Sequence, residues 1–132
     1  MCLIKFTGII ETGHGQGKYF LEMPWIKNQI IEKMNFNPFA GTLNMVLNER
    51  ETLRYTDFIK IAKGTIIEPI DSIFFQGKSI KTLIEKTIKG AVIIPLMPSY
   101  PKNKVEIISS IYLREHLNLV DGDKVSIYFD VK

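Results

Sequence analysis

A chain of 132 residues, 45% hydrophobic and 23% charged, has the composition of one globular domain that buries its core without disulfides. No apolar run approaches the ~20 residues of a membrane helix, and the first ten residues alternate around a single lysine, which excludes a secretory leader pattern. The net charge of +3, spread over scattered lysines and only three arginines, favours anionic ligands but lacks the clustered basic face of a nucleic-acid binder. The single cysteine, Cys2, has no partner for a disulfide or a metal, so a reducing, cytoplasmic location is expected for a single domain spanning 1–132.

Frequent isoleucine and other β-branched residues favour strands. Leu3 to Glu11 reads as the first strand, and a glycine-rich loop, Gly13-His14-Gly15-Gln16-Gly17-Lys18, separates it from a second extended stretch over Lys18 to Met23. Pro24 opens the clearest helix, with Ile26, Ile30, Ile31 and Met34 on one face and Lys27, Gln29, Glu32 and Lys33 on the other. Pro38 ends this segment, and Gly41 leads into a strand from Thr42 to Leu47. There Leu43, Met45 and Leu47 point one way, and Thr42, Asn44 and Val46 the other.

Residues 49 to 63 are ambiguous, with a short helix placed around Thr52 to Lys60. Short strands are expected over Thr65 to Phe75, Ser79 to Ile84, Gly90 to Leu96 and Lys104 to Ser109, with Gln76-Gly77-Lys78 as a turn. A helix from Ile111 to Leu117, the turn Asp121-Gly122-Asp123 and a last strand from Lys124 to Val131 complete the chain. Many short strands with one principal helix predict a mainly β (α+β) fold, a small barrel with short helical decorations.

Two compact motifs suggest phosphate chemistry. Residues 13 to 18 place alternating glycines beside Lys18, and glycine lets backbone N–H groups turn toward an anion. The loop lies between two strands, so it is neither the dinucleotide fingerprint nor the Walker motif, both of which lead into a helix. Thr42 and Asn44, one residue apart on a strand, lie ~6.6 Å apart on the same face and offer two neutral oxygens to one ion. Magnesium suits such a sparse donor set, because it keeps several waters and takes charge neutralisation from substrate phosphates. Taken singly, the glycines make a flexible hairpin tip and the Thr-Asn pair a wet strand face; their combination points to phosphoryl transfer.

The sequence resembles the archaeal CTP-dependent riboflavin kinases. The resemblance runs through Thr12 to Leu21, Asn35 to Asn44, Gly90 to Pro95, Val105 to Ile108 and Leu113 to Leu119 before Asp121-Gly122-Asp123; it is weak over roughly 49 to 85. It implies a six-stranded cradle-loop β-barrel and transfer of the γ-phosphoryl group of CTP to the terminal ribityl hydroxyl of riboflavin. By the same resemblance, Gly13, His14, Gly15, Gln16, Gly17 and Lys18 wrap the nucleotide phosphates and Tyr112, Leu113, Arg114 and Glu115 contact the nucleotide. Thr42 and Asn44 hold Mg2+, and the sequence leaves open whether other divalent ions substitute for it. Glu106 lies beside the flavin, orienting the ribityl hydroxyl or accepting its proton. Where the family has a Thr-His-Tyr-like string, this chain has Pro98-Ser99-Tyr100-Pro101, and Ser99 is the expected flavin-side hydroxyl.

The implied partners are riboflavin and CTP, with no nucleic acid and no membrane, and the chain is expected to act as a monomer. Two other readings stand beside this one: a flavin or nucleotide sensor without turnover, which the altered 98–101 loop permits, and a small DNA-binding barrel module, suggested by the closing Leu113 to Asp123 segment.

Overall fold

The computed structural model describes residues 2–13, 21–69 and 76–131. Seven strands, β1 (Leu3–Glu11), β2 (Leu43–Val46), β3 (Thr65–Ile67), β4 (Gly77–Ile84), β5 (Ile88–Pro95), β6 (Lys104–Ser109) and β7 (Lys124–Asp130), form one antiparallel sheet in the order β3-β4-β5-β6-β2-β1-β7. A further pairing of β4 with β7, Leu83 opposite Tyr128 and Ile84 opposite Ile127, closes six of them into a barrel. The Thr82 hydroxyl donates to the Tyr128 carbonyl at 2.8 Å across this seam. β3 takes the other half of the same β4 edge, pairing Thr65 with Ser79 and Ile67 with Gly77.

Strand periodicity divides the side chains between two cores. Inside the barrel lie Phe6, Ile10, Leu43, Met45, Val92, Val105, Ile107, Val125, Ile127 and Phe129, all buried. Outside it, Ala91, Ile93 and Ile108 on β5 and β6 are covered by Ile26, Ile30 and Met34 of helix α1 (Pro24–Met34). Proline at its first turn and Asn35 in the left-handed region at φ 63°, with its N–H on the Ile31 carbonyl, define the ends of α1. Ile31, expected on the buried face, is exposed. It follows Ile30 by ~100° around the helix and turns out of the stripe that meets the sheet.

Helix α2 (Glu49–Ile61) is longer than the short helix expected around 52–60, so the barrel carries two substantial helices rather than one. The Asn48 side chain caps it by accepting the Glu51 N–H at 2.8 Å. Tyr55, Phe58, Ile59 and Ala62 face the barrel, and an aromatic cluster joins Phe6 to Tyr55 and Phe58 at centroid distances of 5.4 and 5.6 Å. Ile61 is 85% exposed and Leu53 66%, and these two off-face apolar residues blur the helical pattern in the sequence.

Other boundaries shift in ways the ladders explain. Gly77 and Lys78 belong to β4, opposite Pro95 and Ile94, instead of forming a turn. The extended stretch expected over 18–23 is helical at Leu21 and Glu22, while 18–20 lie outside the described residues, as do 70–75 of the expected Thr65–Phe75 strand. The expected helix from Ile111 to Leu117 contracts to α3 (Leu113–His116). Among the described residues no helix is long and apolar enough to cross a membrane.

Gly90 marks the tightest strand approach: a Cβ there would collide with the Ile108 carbonyl and the Ile84 side chain. Gly90→Ala is expected to lower stability by about 1–3 kcal/mol, because neither backbone can withdraw without breaking its ladder. A shift of the urea unfolding midpoint at constant slope measures it; an unchanged midpoint contradicts the packing described here.

Candidate active site

A cavity of about 710 Å³ opens on the outer face of the barrel where β1, β2 and β6 run side by side. Its floor follows from register. Asn44 on β2 lies opposite Glu11 on β1 and opposite Glu106 on β6, so one row of outward side chains crosses three strands. Their neighbours Leu43, Met45, Val105 and Ile107 fill the barrel interior, which fixes the face that the row presents.

Gly41, at φ +135°, allows the chain to enter β2 by a turn that a side-chain-bearing residue would strain, and presents Thr42 at the cavity wall. The Thr42 hydroxyl lies 3.3 Å from Glu106 Oε1 and 3.5 Å from Asn44 Oδ1. It has a single proton for two acceptors, at separations beyond the usual 2.7–2.8 Å of a hydroxyl bond. Three oxygens this close, short of protons, suit a hard cation, and Thr42 and Asn44 beside Glu106 are the residues that would hold it. Among the described residues no group of three or more His, Cys, Asp or Glu assembles a self-sufficient cage. The donor set therefore fits an ion that arrives with a phosphate-bearing ligand and retains water.

The other Glu106 oxygen is also fixed. Tyr100 donates its hydroxyl to Oε2 at 2.6 Å. Burial first, and then this bond, push the Tyr100 phenol far above its ordinary range, so it remains a protonated donor. Tyr100 and Met97 line the cavity, whereas Ser99, the expected flavin-side hydroxyl, is exposed and outside the lining. The reason is a turn in which the Met97 carbonyl accepts the Tyr100 N–H at 3.1 Å, sending Tyr100 inward and Ser99 outward. The sequence held a signal for this: a tyrosine between two prolines, six residues before a glutamate in an apolar strand.

The nucleotide-side residues divide. Gly13 lines the cavity, packed so closely on the Asn44 amide that a Cβ would collide with it. His14, Gly15, Gln16, Gly17 and Lys18 lie outside the described residues. Tyr112, Leu113 and Arg114 also line the cavity; Glu115 points to solvent and is not part of it. Arg114 donates to the Glu11 carbonyl at 3.0 Å and to Asp121 at 2.6 Å, and Asp121 accepts the Thr12 hydroxyl at 2.6 Å. The Thr12 bond, followed by Arg114, holds the Asp121 carboxyl below the usual range. These bonds tie α3 to the start of the glycine loop; protonation of Asp121, as pH falls through its depressed value, removes the Asp121 part and leaves the Arg114 bond to the Glu11 carbonyl. Phe39, absent from the sequence reading, meets Tyr112 edge to face at 4.7 Å and adds an aromatic wall.

A closed barrel with a polar floor and an aromatic pair lining one cavity on its outer face has the form of a small-molecule-binding protein. Comparison with known proteins gives it a family. Residues 10–129 match the model of the CTP-dep_RFKase family, described as domain of unknown function DUF120. A riboflavin kinase of Saccharolobus solfataricus is 39% identical over 127 residues, covering 94% of this chain and 73% of the relative. The riboflavin kinases of Sulfurisphaera tokodaii and Methanobrevibacter smithii are 36% and 35% identical, covering 95% and 96% of this chain and 94% and 100% of theirs. The chain belongs to the CTP-dep_RFKase family.

Gly13→Ala drives the Asn44 amide out of the oxygen set. Magnesium-dependent nucleotide binding, followed by calorimetric titration, is expected to weaken by about tenfold or more while the thermal midpoint changes little. Unaltered binding would separate Gly13 from the cation site.

Proposed function

We propose that the protein transfers the γ-phosphoryl group of CTP to the terminal ribityl hydroxyl of riboflavin, giving FMN and CDP. The observation that carries this reading is the convergence of Thr42, Asn44 and Glu106 on one cavity that Gly13, Tyr112 and Arg114 also line. Family membership supplies the reaction class, and the family's name supplies CTP as donor.

In this reading Thr42 and Asn44 place the polyphosphate through a divalent cation, which when bound neutralises charge on the phosphate oxygens. Glu106, held by Tyr100 through Oε2, keeps Oε1 toward the acceptor hydroxyl and accepts its hydrogen bond. The alcohol oxygen forms its bond to the γ-phosphorus as the bond to the bridging oxygen breaks; the electron pair leaves with CDP and the hydroxyl proton passes to Glu106. Such a transfer depends on alignment and charge neutralisation more than on strong base catalysis. The edge-to-face pair Phe39 and Tyr112 offers apolar surface to a planar ring. Acting as one domain without a partner chain also belongs to this proposal.

The direct test is chromatographic detection of FMN after incubation with riboflavin and magnesium, with CTP and ATP supplied in parallel. FMN with CTP and little with ATP is expected. FMN with ATP alone would keep the reaction and refute the donor, and none with either would refute the kinase reading. Glu106→Gln is expected to reduce turnover at saturating riboflavin by on the order of 10²-fold. Near-normal turnover would remove the proton-accepting role. Tyr100→Phe, which frees Oε2 but leaves the carboxylate, is expected to cost about tenfold, read as a fall in kcat larger than any rise in the KM for CTP.

A further inference from the structure

Lys104 lies two residues before Glu106 on β6, so its side chain rises from the same outer face, opposite Val46 of β2. It crosses diagonally to β1, where its Nζ is 3.4 Å from Glu11 Oε2. Both residues line the cavity, and Glu11 and Glu106 are the two cross-strand neighbours of Asn44. The ammonium is thus stationed beside the row of side chains that forms the cavity floor.

Two observations set Lys104 apart. The other cation among the described lining residues, Arg114, is already engaged by Asp121 and the Glu11 carbonyl. The Lys104–Glu11 contact, at 3.4 Å against 2.6 Å for Arg114–Asp121, is the longer of the two and joins side chains that are each 37% exposed. An ion pair of this kind contributes little and exchanges readily for a stronger anion. A terminal phosphoryl group, with more charge and three oxygens, is such an anion.

Resting on the kinase reading, we infer that Lys104 is a further catalytic residue. Its ammonium leaves Glu11 when nucleotide binds and pairs with the oxygens of the terminal phosphoryl group, which it accompanies through transfer. Glu11 is its resting counter-ion. The contribution of Lys104 is electrostatic, directed at the charge spread over the equatorial oxygens in the transition state.

CTP and CDP differ by the group that Lys104 is assigned to meet, and this gives the test. Each is titrated calorimetrically with magnesium into the wild type, Lys104→Met, Lys104→Arg and Glu11→Gln, with FMN formation measured on the same preparations. Lys104→Met is expected to weaken CTP binding about tenfold and CDP binding less than about twofold, with kcat falling on the order of 10². Lys104→Arg restores most of the CTP preference. Glu11→Gln, which removes the competing anion, tightens CTP a few-fold, an effect opposite to that of general damage to the site. Equal losses for CTP and CDP, or no loss for either, would overturn the assignment. If the wild type binds both nucleotides but forms no FMN, the kinase reading fails, and the CTP-to-CDP contrast still decides whether Lys104 meets the terminal phosphate.

Discussion

The closed barrel forces every strand to divide its side chains between an interior that must be dry and an exterior that must be covered, solvated or used. That two-residue alternation is the constraint on which the site depends. On β2 it sends Leu43 and Met45 inward, so Thr42 and Asn44 have only the outer face available. On β6 it does the same with Val105 and Ile107, leaving Lys104 and Glu106 outside. A one-residue slip of either strand would bury the polar set and expose the apolar one. The interior packing therefore fixes the site as firmly as any bond within it.

Helix α1 and the cavity share that outer face. Where β5 and β6 present Ala91, Ile93 and Ile108, α1 seals them with Ile26, Ile30 and Met34; where the row turns polar at Glu106, the helix gives way to the cavity. Glu106 sits at this boundary with one oxygen satisfied by Tyr100 and the other toward Thr42. A carboxylate so placed has little freedom to reorient, which is what positioning a reacting hydroxyl requires.

Much of this was legible in the sequence. β1 and β6 are found at their expected bounds, and the alternation in β2 was readable because Leu43, Met45 and Leu47 fall on one face and Thr42 and Asn44 on the other, with Val46 the one apolar residue among the outward positions. α2 was only half legible, since exposed Leu53 and Ile61 obscure the stripe of Tyr55, Phe58, Ile59 and Ala62. Thr42, Asn44 and Glu106 were proposed from motif spacing and family resemblance; that they come together on one face follows from ladder register, which no local pattern encodes. The Tyr100–Glu106 and Lys104–Glu11 contacts were not legible for the same reason: each partner is reached through a turn or a diagonal across strands. Ser99 was expected as the hydroxyl nearest the position that the family's string fills, and sequence does not show which side chain of the loop the turn points inward.

The pairing of β1 with β7 brings Leu3 opposite Asp130, and the Val131 N–H reaches the Cys2 carbonyl at 2.9 Å. β1 then runs eight residues, roughly 27 Å, before Glu11 reaches the cavity. Both ends of the described barrel are thus neighbours at the pole remote from the cavity. A surface tether, an affinity handle or an entire second protein could be attached there, and a short linker joining the two would give a continuous loop from which new ends could be opened elsewhere. An attachment beside Leu3 or Asp130 would leave the cavity mouth clear.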